Sequence, residues 1–245
     1  VMLYSMYQAL RDLTAPVNAA AALGRTFLSH LPDDVAGNEA VRFTSATDEM
    51  IARARLAHVR PPFGIGHAVM GDRTVEVREE VVEATPFGSL LHFVKDSDTP
   101  QPRVLVVAAL AGHFSTLLRS TVSALLPDTD VYITDWHNAR DVPLSAGTFG
   151  LDDYVSHLVD FIRRIGPGAH VVAVCQPCPA ALAATAVMAE GSDPAVPRSL
   201  TLMAGPVDCR ISPTAVNTFA SEQPLQWFED NVITTVPWRY QGRGR

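Results

Sequence analysis

Residues 171–181 decide the fold, and they read Val-Val-Ala-Val-Cys-Gln-Pro-Cys-Pro-Ala-Ala. The four apolar residues, three of them β-branched, predict a short strand that is buried on both faces of a parallel sheet. Cys175 follows this strand at once. The alanine-rich segment 179–190 then predicts a helix, since proline fits the first turn of a helix. We therefore expect a sharp strand-to-helix turn with a thiol at its tip.

Working outward, further apolar runs predict other strands of the same sheet, at 104–109, 131–134 and 200–203. Helical segments alternate with them, at 116–126, 152–165 and 179–190. Such alternation is typical of a mostly parallel α/β sheet with helices on both sides. Ahead of it, a period-two pattern predicts an antiparallel hairpin over 73–82 and 89–94. A hairpin that leads into such a sheet resembles the start of an α/β-hydrolase.

The N-terminal arm is predicted to be helical and to serve packing. Apolar residues recur at helical spacing over 3–13, and this helix is expected to end near Pro16. Further helices are expected at 19–28 and 47–57, the second capped by Thr47. The predicted parts are therefore a helical arm, an incomplete α/β-hydrolase core and the start of a lid, at 1–62, 63–208 and 209–245.

Composition and charge exclude several functions. Of the 245 residues 47% are apolar, but the longest apolar runs are far shorter than the roughly 20 residues of a membrane span. The 19 basic residues are scattered and are outnumbered by 26 acidic ones, so no basic stripe for nucleic acid is present. Three cysteines argue against a disulfide framework, and no signal peptide is recognised. We expect a cytoplasmic protein with no membrane span and no nucleic-acid partner.

The turn at Cys175 has the layout of a nucleophile elbow, which projects one side chain out of the sheet. The helix N-terminus would stabilise a thiolate, and the backbone N–H of Gln176 is expected to bind an oxyanion. Ala173 and Pro177 stand where the Gly-x-Ser-x-Gly pattern has glycines, so we expect a turn of slightly different shape. For the second oxyanion donor we select the backbone N–H of Leu110, directly after the strand at 104–109.

The same cysteines allow other interpretations. Cys175 alone could be a buried small apolar residue. With Cys178 it forms a C-x-x-C, as in thiol–disulfide oxidoreductases, although that motif normally follows the first strand of a smaller domain. A C-x-x-C is also half of a zinc site, but no partner pair stands at ligand spacing. We expect neither a metal nor a cofactor.

Several blocks of the chain resemble the intracellular polyhydroxyalkanoate (poly-3-hydroxybutyrate, PHB) depolymerases. They lie at 104–113, 117–119, 131–136, 151–154, 174–177, 202–208, 213–217 and 227–228. The resemblance implies an α/β-hydrolase in which Cys175 attacks ester bonds of storage polyester and forms an acyl-thioester. It also implies the polyhydroxyalkanoate granule surface as partner and location. The oligomeric state, the preferred monomer length and the acyl acceptor (water or coenzyme A) stay open.

Such a nucleophile needs a histidine that is oriented by a carboxylate, and in α/β-hydrolases both follow the nucleophile in the chain. All eight histidines precede Cys175. We therefore expect a C-terminally truncated, inactive fragment with no triad acid or histidine. The other possibility is an upstream substitute, His113 or His137. Asp208 could orient a histidine, or it could simply be a loop residue.

Two alternatives concern binding without catalysis. A non-catalytic granule-associated protein of the same fold would also account for the missing histidine. The aromatic residues near the end of the chain could contact polymer or pack under a lid; they are Trp227, Phe228, Trp238 and Tyr240.

Overall fold

The structure, a computed structural model, describes residues 3–54, 59–110 and 114–233. Contacts divide the described residues into two compact units. One unit combines residues 3–54 with 225–233, and the other comprises 59–110 and 114–224. The domain limits expected from the sequence, at 62/63 and 208/209, stay a prediction.

The described helices are α1 (Leu3–Leu28), α2 (Asp33–Ala36), α3 (Glu39–Arg53), α4 (Arg119–Leu125), α5 (Leu151–Ile165), α6 (Cys178–Glu190), α7 (Ala215–Glu222) and α8 (Leu225–Asn231). The described strands are β1 (His67–Met70), β2 (Arg73–Ala84), β3 (Gly88–Lys95), β4 (Arg103–Val107), β5 (Asp130–Trp136), β6 (His170–Val174) and β7 (Ser199–Met203). Among the described helices, none combines the length and the apolar character that crossing a membrane requires.

Helix α1 runs unbroken through Pro16, so the predicted end of a helix at this residue is wrong. Proline lacks an N–H and removes one main-chain hydrogen bond from a helix interior. Two residues earlier, the hydroxyl of Thr14 donates to the carbonyl oxygens of Leu10 (3.0 Å) and Arg11 (3.2 Å). The four alanines at 19–22 favour helix beyond the proline. The helix-forming alanine run therefore outweighs the single hydrogen bond that Pro16 cannot donate.

Helix α3 begins at Glu39, well before the predicted start at Thr47. The side chain of Asn38 accepts a hydrogen bond from the backbone N–H of Ala40 at 2.9 Å and so caps the helix. Thr47 is therefore not a cap; it lies inside the helix, where its hydroxyl donates to the carbonyl oxygen of Phe43. Residues 55–57 of the predicted helix lie outside the described residues.

The described strands form one sheet in the order β1-β2-β3-β5-β4-β6-β7. Strands β5, β4, β6 and β7 are mutually parallel, while β3 is antiparallel to both β2 and β5. Strand β2 therefore runs in the direction of the parallel set, and only β1 and β3 run against it. This mostly parallel sheet with helices confirms the α/β class, and it brings the C-terminal ends of β4, β5 and β6 to one edge.

Each face of the sheet is covered by its own apolar core. On one face, Leu105 and Ala173 pack with residues of α5 and α6 such as Leu158. On the other face, Val106 and Ile133 belong to a core that includes the α4 residue Val122. Burial on both faces is the reason that these strands are uninterrupted apolar runs in the sequence.

Lys95, the only lysine of the chain, connects the end of β3 to the end of α4. Its ammonium group donates to the carbonyl oxygens of Leu126 (2.7 Å) and Thr129 (2.5 Å), and also to the side chain of Gln101. A cation in this position satisfies carbonyl groups that the helix end leaves free. Burial lowers the pKa of Lys95, and the nearby Asp130 carboxylate opposes this effect.

Tyr132 lies near the start of β5, where its ring stacks on the imidazole of His92 with the ring centroids 4.1 Å apart. The Nε2 atom of His92 lies 2.6 Å from a carboxylate oxygen of Asp130. Burial, together with the charge of Asp130, raises the pKa of Tyr132 to about 12.

Candidate active site

Cys175 follows the last residue of β6 and has a left-handed backbone conformation, with φ at +70°. Its N–H donates to the carbonyl oxygen of Met203 at 2.8 Å, so pairing with β7 continues up to the turn. Helix α6 starts at Cys178, whose N–H donates back to the carbonyl oxygen of Cys175 at 3.2 Å. The thiol of Cys175 is exposed. A strained, non-glycine residue between a strand and a helix has the backbone geometry of a nucleophile elbow.

Beneath the turn, Cys178 is fully buried against the segment that follows β7. Its thiol donates to the carbonyl oxygen of Ala173 at 3.4 Å. A Cβ atom on Gly205 would lie 2.1 Å from the sulfur of Cys178 and 2.6 Å from the carbonyl oxygen of Cys175. Only glycine fits there, so the close backbone approach at this elbow depends on Gly205.

Leu110 and Gln176, the two residues expected to supply oxyanion donors, lie next to each other, and the side chain of Gln176 joins them. The backbone N–H of Leu110 donates to the side-chain oxygen Oε1 of Gln176 at 2.9 Å. Within the described residues, no hydrogen bond engages the backbone N–H of Gln176. One of the two expected donors is thus open and the other is occupied from within the chain.

Two side chains of β5 fix the backbone just before Leu110, and neither contact was predicted from the sequence. The hydroxyl of Thr134 accepts a hydrogen bond from the N–H of Ala108 at 3.0 Å, and the indole N–H of Trp136 donates to the carbonyl oxygen of Ala108 at 3.0 Å. Their spacing in the sequence could have indicated that they act together, because side chains two positions apart on a strand point to the same face of the sheet.

A second polar network lies at the end of β5, on the opposite face, and it too was missed. The carboxylate of Asp135 accepts a hydrogen bond from the hydroxyl of Ser115 at 2.5 Å and pairs with Arg60, whose Nε lies 2.8 Å away. Arg60 also pairs with Glu79 at 2.5 Å. Burial raises the pKa of Asp135, while the Ser115 hydrogen bond and the Arg60 charge oppose this effect. The network anchors Ser115, which begins the 3-10 turn before α4.

The structure does not join His137 to the thiol. Its Nδ1 lies 3.1 Å from the carbonyl oxygen of Pro86, and its Nε2 lies 3.0 Å from the hydroxyl oxygen of Ser89. A carbonyl oxygen can only accept, so Nδ1 donates to Pro86, and both ring nitrogens are engaged away from Cys175. The other candidate, His113, lies outside the described residues. Within the part of the chain that the structure describes, no hydrogen bond links a histidine to Cys175.

Asp208 is engaged by Arg210. The carboxylate of Asp208 accepts a hydrogen bond from the backbone N–H of Arg210 at 3.0 Å. It accepts two more from the guanidinium group of Arg210, at 2.8 and 2.9 Å. The hydrogen bonds from Arg210 lower the pKa of Asp208. This carboxylate is held by its own loop and orients no described histidine.

The remaining candidates concern binding. Trp227 and Phe228 make an edge-to-face contact in α8, with ring centroids 5.2 Å apart. Trp238 and Tyr240 lie outside the described residues. Among residues 3–54, 59–110 and 114–233, no group of three or more His, Cys, Asp or Glu side chains could hold a metal ion.

Comparisons with known proteins give one family match. Residues 204–245 match the family model described as PHB de-polymerase C-terminus. No curated protein sequence matches the chain.

The chain is remotely similar to several solved structures. Naproxen esterase (carboxylesterase NP) from Bacillus subtilis is 17% identical with a TM-score of 0.36, over 51% of this chain and 42% of that one. A second carboxylesterase from Bacillus subtilis is 14% identical with a TM-score of 0.38, over 60% and 50%. A thermostable esterase from Pseudomonas putida is 13% identical with a TM-score of 0.41, over 90% and 66%. The chain therefore spans between 42% and 66% of their lengths.

Proposed function

We propose that this chain belongs to the PHB depolymerase family and carries the nucleophile that cleaves ester bonds of intracellular polyhydroxyalkanoate; the match of residues 204–245 to the PHB de-polymerase C-terminus model supports the proposal. The observation that carries the proposal is the exposed thiol of Cys175, held at φ +70° between β6 and α6. The proposed place of action is the surface of polyester granules in the cytoplasm.

In the proposed reaction, the thiolate of Cys175 attacks the ester carbonyl carbon, and the π electron pair moves to the oxygen. The backbone N–H groups of Gln176 and Leu110 stabilise the resulting oxyanion. Collapse of this intermediate re-forms the carbonyl and expels the alkoxide end of the polymer, which takes up a proton. An acyl-thioester stays on Cys175, and water or the thiol of coenzyme A then accepts the acyl group.

Formation of the thioester tests this proposal directly. The chain is incubated with 3-hydroxybutyrate oligomers, and its peptides are analysed by mass spectrometry for a 3-hydroxybutyryl group on each cysteine. We expect acylation of Cys175 and none in the Cys175→Ser variant. Cys209 is an exposed thiol outside the turn and serves as an internal control. Equal acylation of Cys175 and Cys209 would argue against a catalytic thiol.

Turnover by the chain on its own is expected to stay close to background. All eight histidines precede Cys175 and no described histidine hydrogen-bonds to its thiol, whereas loss of a triad member typically lowers the rate on the order of 10⁴-fold. The measurement is release of 3-hydroxybutyrate from amorphous granules, compared with the Cys175→Ser variant. Rapid, Cys175-dependent release would contradict this expectation.

The alternative functions have distinct outcomes. Thiol–disulfide exchange would require the thiol of Cys178 to reach the sulfur of Cys175, whereas this buried thiol donates to the carbonyl oxygen of Ala173. We expect iodoacetamide to alkylate Cys175 and Cys209 in the folded chain, and Cys178 only after unfolding. Granule binding without acylation of Cys175 would instead favour a non-catalytic granule-associated protein.

A further inference from the structure

The hydrogen bond between Leu110 and Gln176 carries an inference that rests on the proposed function and deepens it. We infer that the side-chain amide of Gln176 gates the oxyanion pocket. In the free chain its Oε1 accepts the N–H of Leu110, and an ester substrate has to displace this oxygen before both donors can act.

The chemistry of the bond supports a gate. At 2.9 Å, the contact between the Leu110 nitrogen and Oε1 has the length of a normal amide hydrogen bond, and an N–H has a single proton to donate. The acceptor is an amide carbonyl oxygen, the same kind of atom as the carbonyl oxygen of an ester. It therefore occupies the Leu110 donor as a substrate oxygen would, while no described residue accepts a hydrogen bond from the backbone N–H of Gln176.

The surroundings show which partner can move. The backbone before Leu110 is fixed, because Thr134 and Trp136 hold the N–H and the carbonyl of Ala108. The side chain of Gln176 is exposed. A substrate that displaces it therefore breaks one hydrogen bond and disturbs no core packing.

The expected size of the effect follows from the net value of a single hydrogen bond. A typical intramolecular hydrogen bond contributes a net amount that corresponds to roughly a 2- to 10-fold change in an equilibrium. Removal of the competing acceptor should therefore accelerate acylation of Cys175 by about 2- to 10-fold. The effect belongs to the carbonyl addition step and should be absent from reactions of the thiolate that form no oxyanion.

Two variants with side chains of similar size test whether the oxygen of Gln176 competes with the substrate for the Leu110 N–H. Gln176→Met removes the acceptor, while Gln176→Glu supplies a carboxylate, which accepts more strongly and repels an oxyanion. The probe is the p-nitrophenyl ester of 3-hydroxybutyrate, used at about pH 9, where an ordinary cysteine thiol is largely ionised. The thiolate forms a C–S bond and p-nitrophenolate leaves. Alkylation by iodoacetamide, which passes through no oxyanion, is measured in parallel.

The readout is the acylation rate constant of Cys175 divided by its alkylation rate constant. We expect this ratio to rise about 2- to 10-fold in Gln176→Met and to fall in Gln176→Glu, relative to the unchanged chain. The same ratio for Cys209 should stay constant in all three proteins. Protection of Cys178 from iodoacetamide shows that each variant keeps the folded turn.

The failures of the two proposals are distinguishable. If Cys175 of the unchanged chain is acylated in preference to Cys209, and Gln176→Met leaves its ratio unchanged or lowers it, the gate is wrong and the proposed function stands. If Cys175 is acylated no faster than Cys209 in all three proteins, the proposed function itself fails.

Discussion

At the scale of single residues, the reactive turn depends on a glycine that belongs to another segment. Cys175 occupies a backbone conformation that costs free energy, and the surrounding structure has to hold it there. Gly205 supplies part of this constraint, since its backbone passes against Cys178 and the carbonyl of Cys175 with no room for a side chain. Position 205 therefore couples the stability of the fold to the geometry of the thiol.

Replacement of Gly205 by alanine should lower the free energy of unfolding by about 1–3 kcal/mol, the usual cost of forcing an extra carbon into a packed site. The control is Gly66→Ala, because a Cβ atom at Gly66 meets nothing within 4 Å. Urea denaturation of both variants measures the difference. Equal stability of the two variants would show that the segment after β7 can move away from the elbow.

At the scale of elements, β5 does more than fill the sheet. Successive side chains of a strand point to opposite faces, so Thr134 and Trp136 reach the backbone before Leu110 while Asp135 reaches Ser115 on the other face. One strand thus positions both ends of the segment between β4 and α4. Its role in the proposed site is to hold backbone groups in place.

The hydroxyl of Thr134 is fully buried and is the acceptor for the N–H of Ala108. The change Thr134→Val keeps the shape of the side chain but leaves this N–H without a partner, which should cost about 1–3 kcal/mol of unfolding free energy. Thr201→Val, at an exposed position of β7, serves as the control and should change stability little. Urea denaturation provides both values, and an effect of equal size at the two positions would contradict this role.

Tyr132 predicts how stability depends on alkaline pH. Because its pKa is raised in the folded chain, the unfolded chain releases this proton first as the pH rises. The stabilisation is complete below the ordinary value of 10.0 and is lost as the pH rises through about 12. The Tm of the unchanged chain should therefore fall more steeply between pH 10 and about pH 12 than the Tm of Tyr132→Phe. If the Tm of both proteins depended on pH in the same way, the raised pKa of Tyr132 would be disproved.

The sheet could be predicted from the sequence where burial alone determines the residue type. Strands β4 and β6 are apolar because both of their faces are covered, and β2 alternates over 74–77 because one of its faces is exposed. Strand β3 departs from the expected alternation, since Leu90 and Leu91 are buried in the cores on opposite faces of the sheet. The break expected at Pro16 failed because local contributions to the helix outweighed one proline.

Parts of the candidate site were less accessible to sequence reasoning. Cys175, Gln176 and Leu110 could be named because their roles follow from their place after a strand. The contacts of Thr134, Asp135 and Arg60 could not be named, because hydrogen bonds between residues distant in the chain leave no local pattern. The hydrogen bond from the Leu110 N–H to the side chain of Gln176 could not be predicted for the same reason, since these residues are also distant in the chain.

At the scale of the whole molecule, the unit that contains residues 59–224 holds the described sheet and the apolar cores on both of its faces. A unit with its own cores is expected to fold by itself. We therefore expect residues 59–224, produced alone, to unfold cooperatively in urea and to keep Cys178 protected from iodoacetamide. A gradual, non-cooperative transition would show that the helical unit is required for folding.

The hydrogen bonds of Lys95 have a consequence for chemical labelling. Lys95 is the only lysine side chain of the chain, and its amine is bound to two carbonyl oxygens and a glutamine. Acyl donors therefore meet almost no competing side-chain amine on this protein. Apart from the α-amino group at the N-terminus, stable adducts should be found mainly on sulfur, so a covalent ester probe can report on the cysteines without the lysine background that obscures such experiments in most proteins.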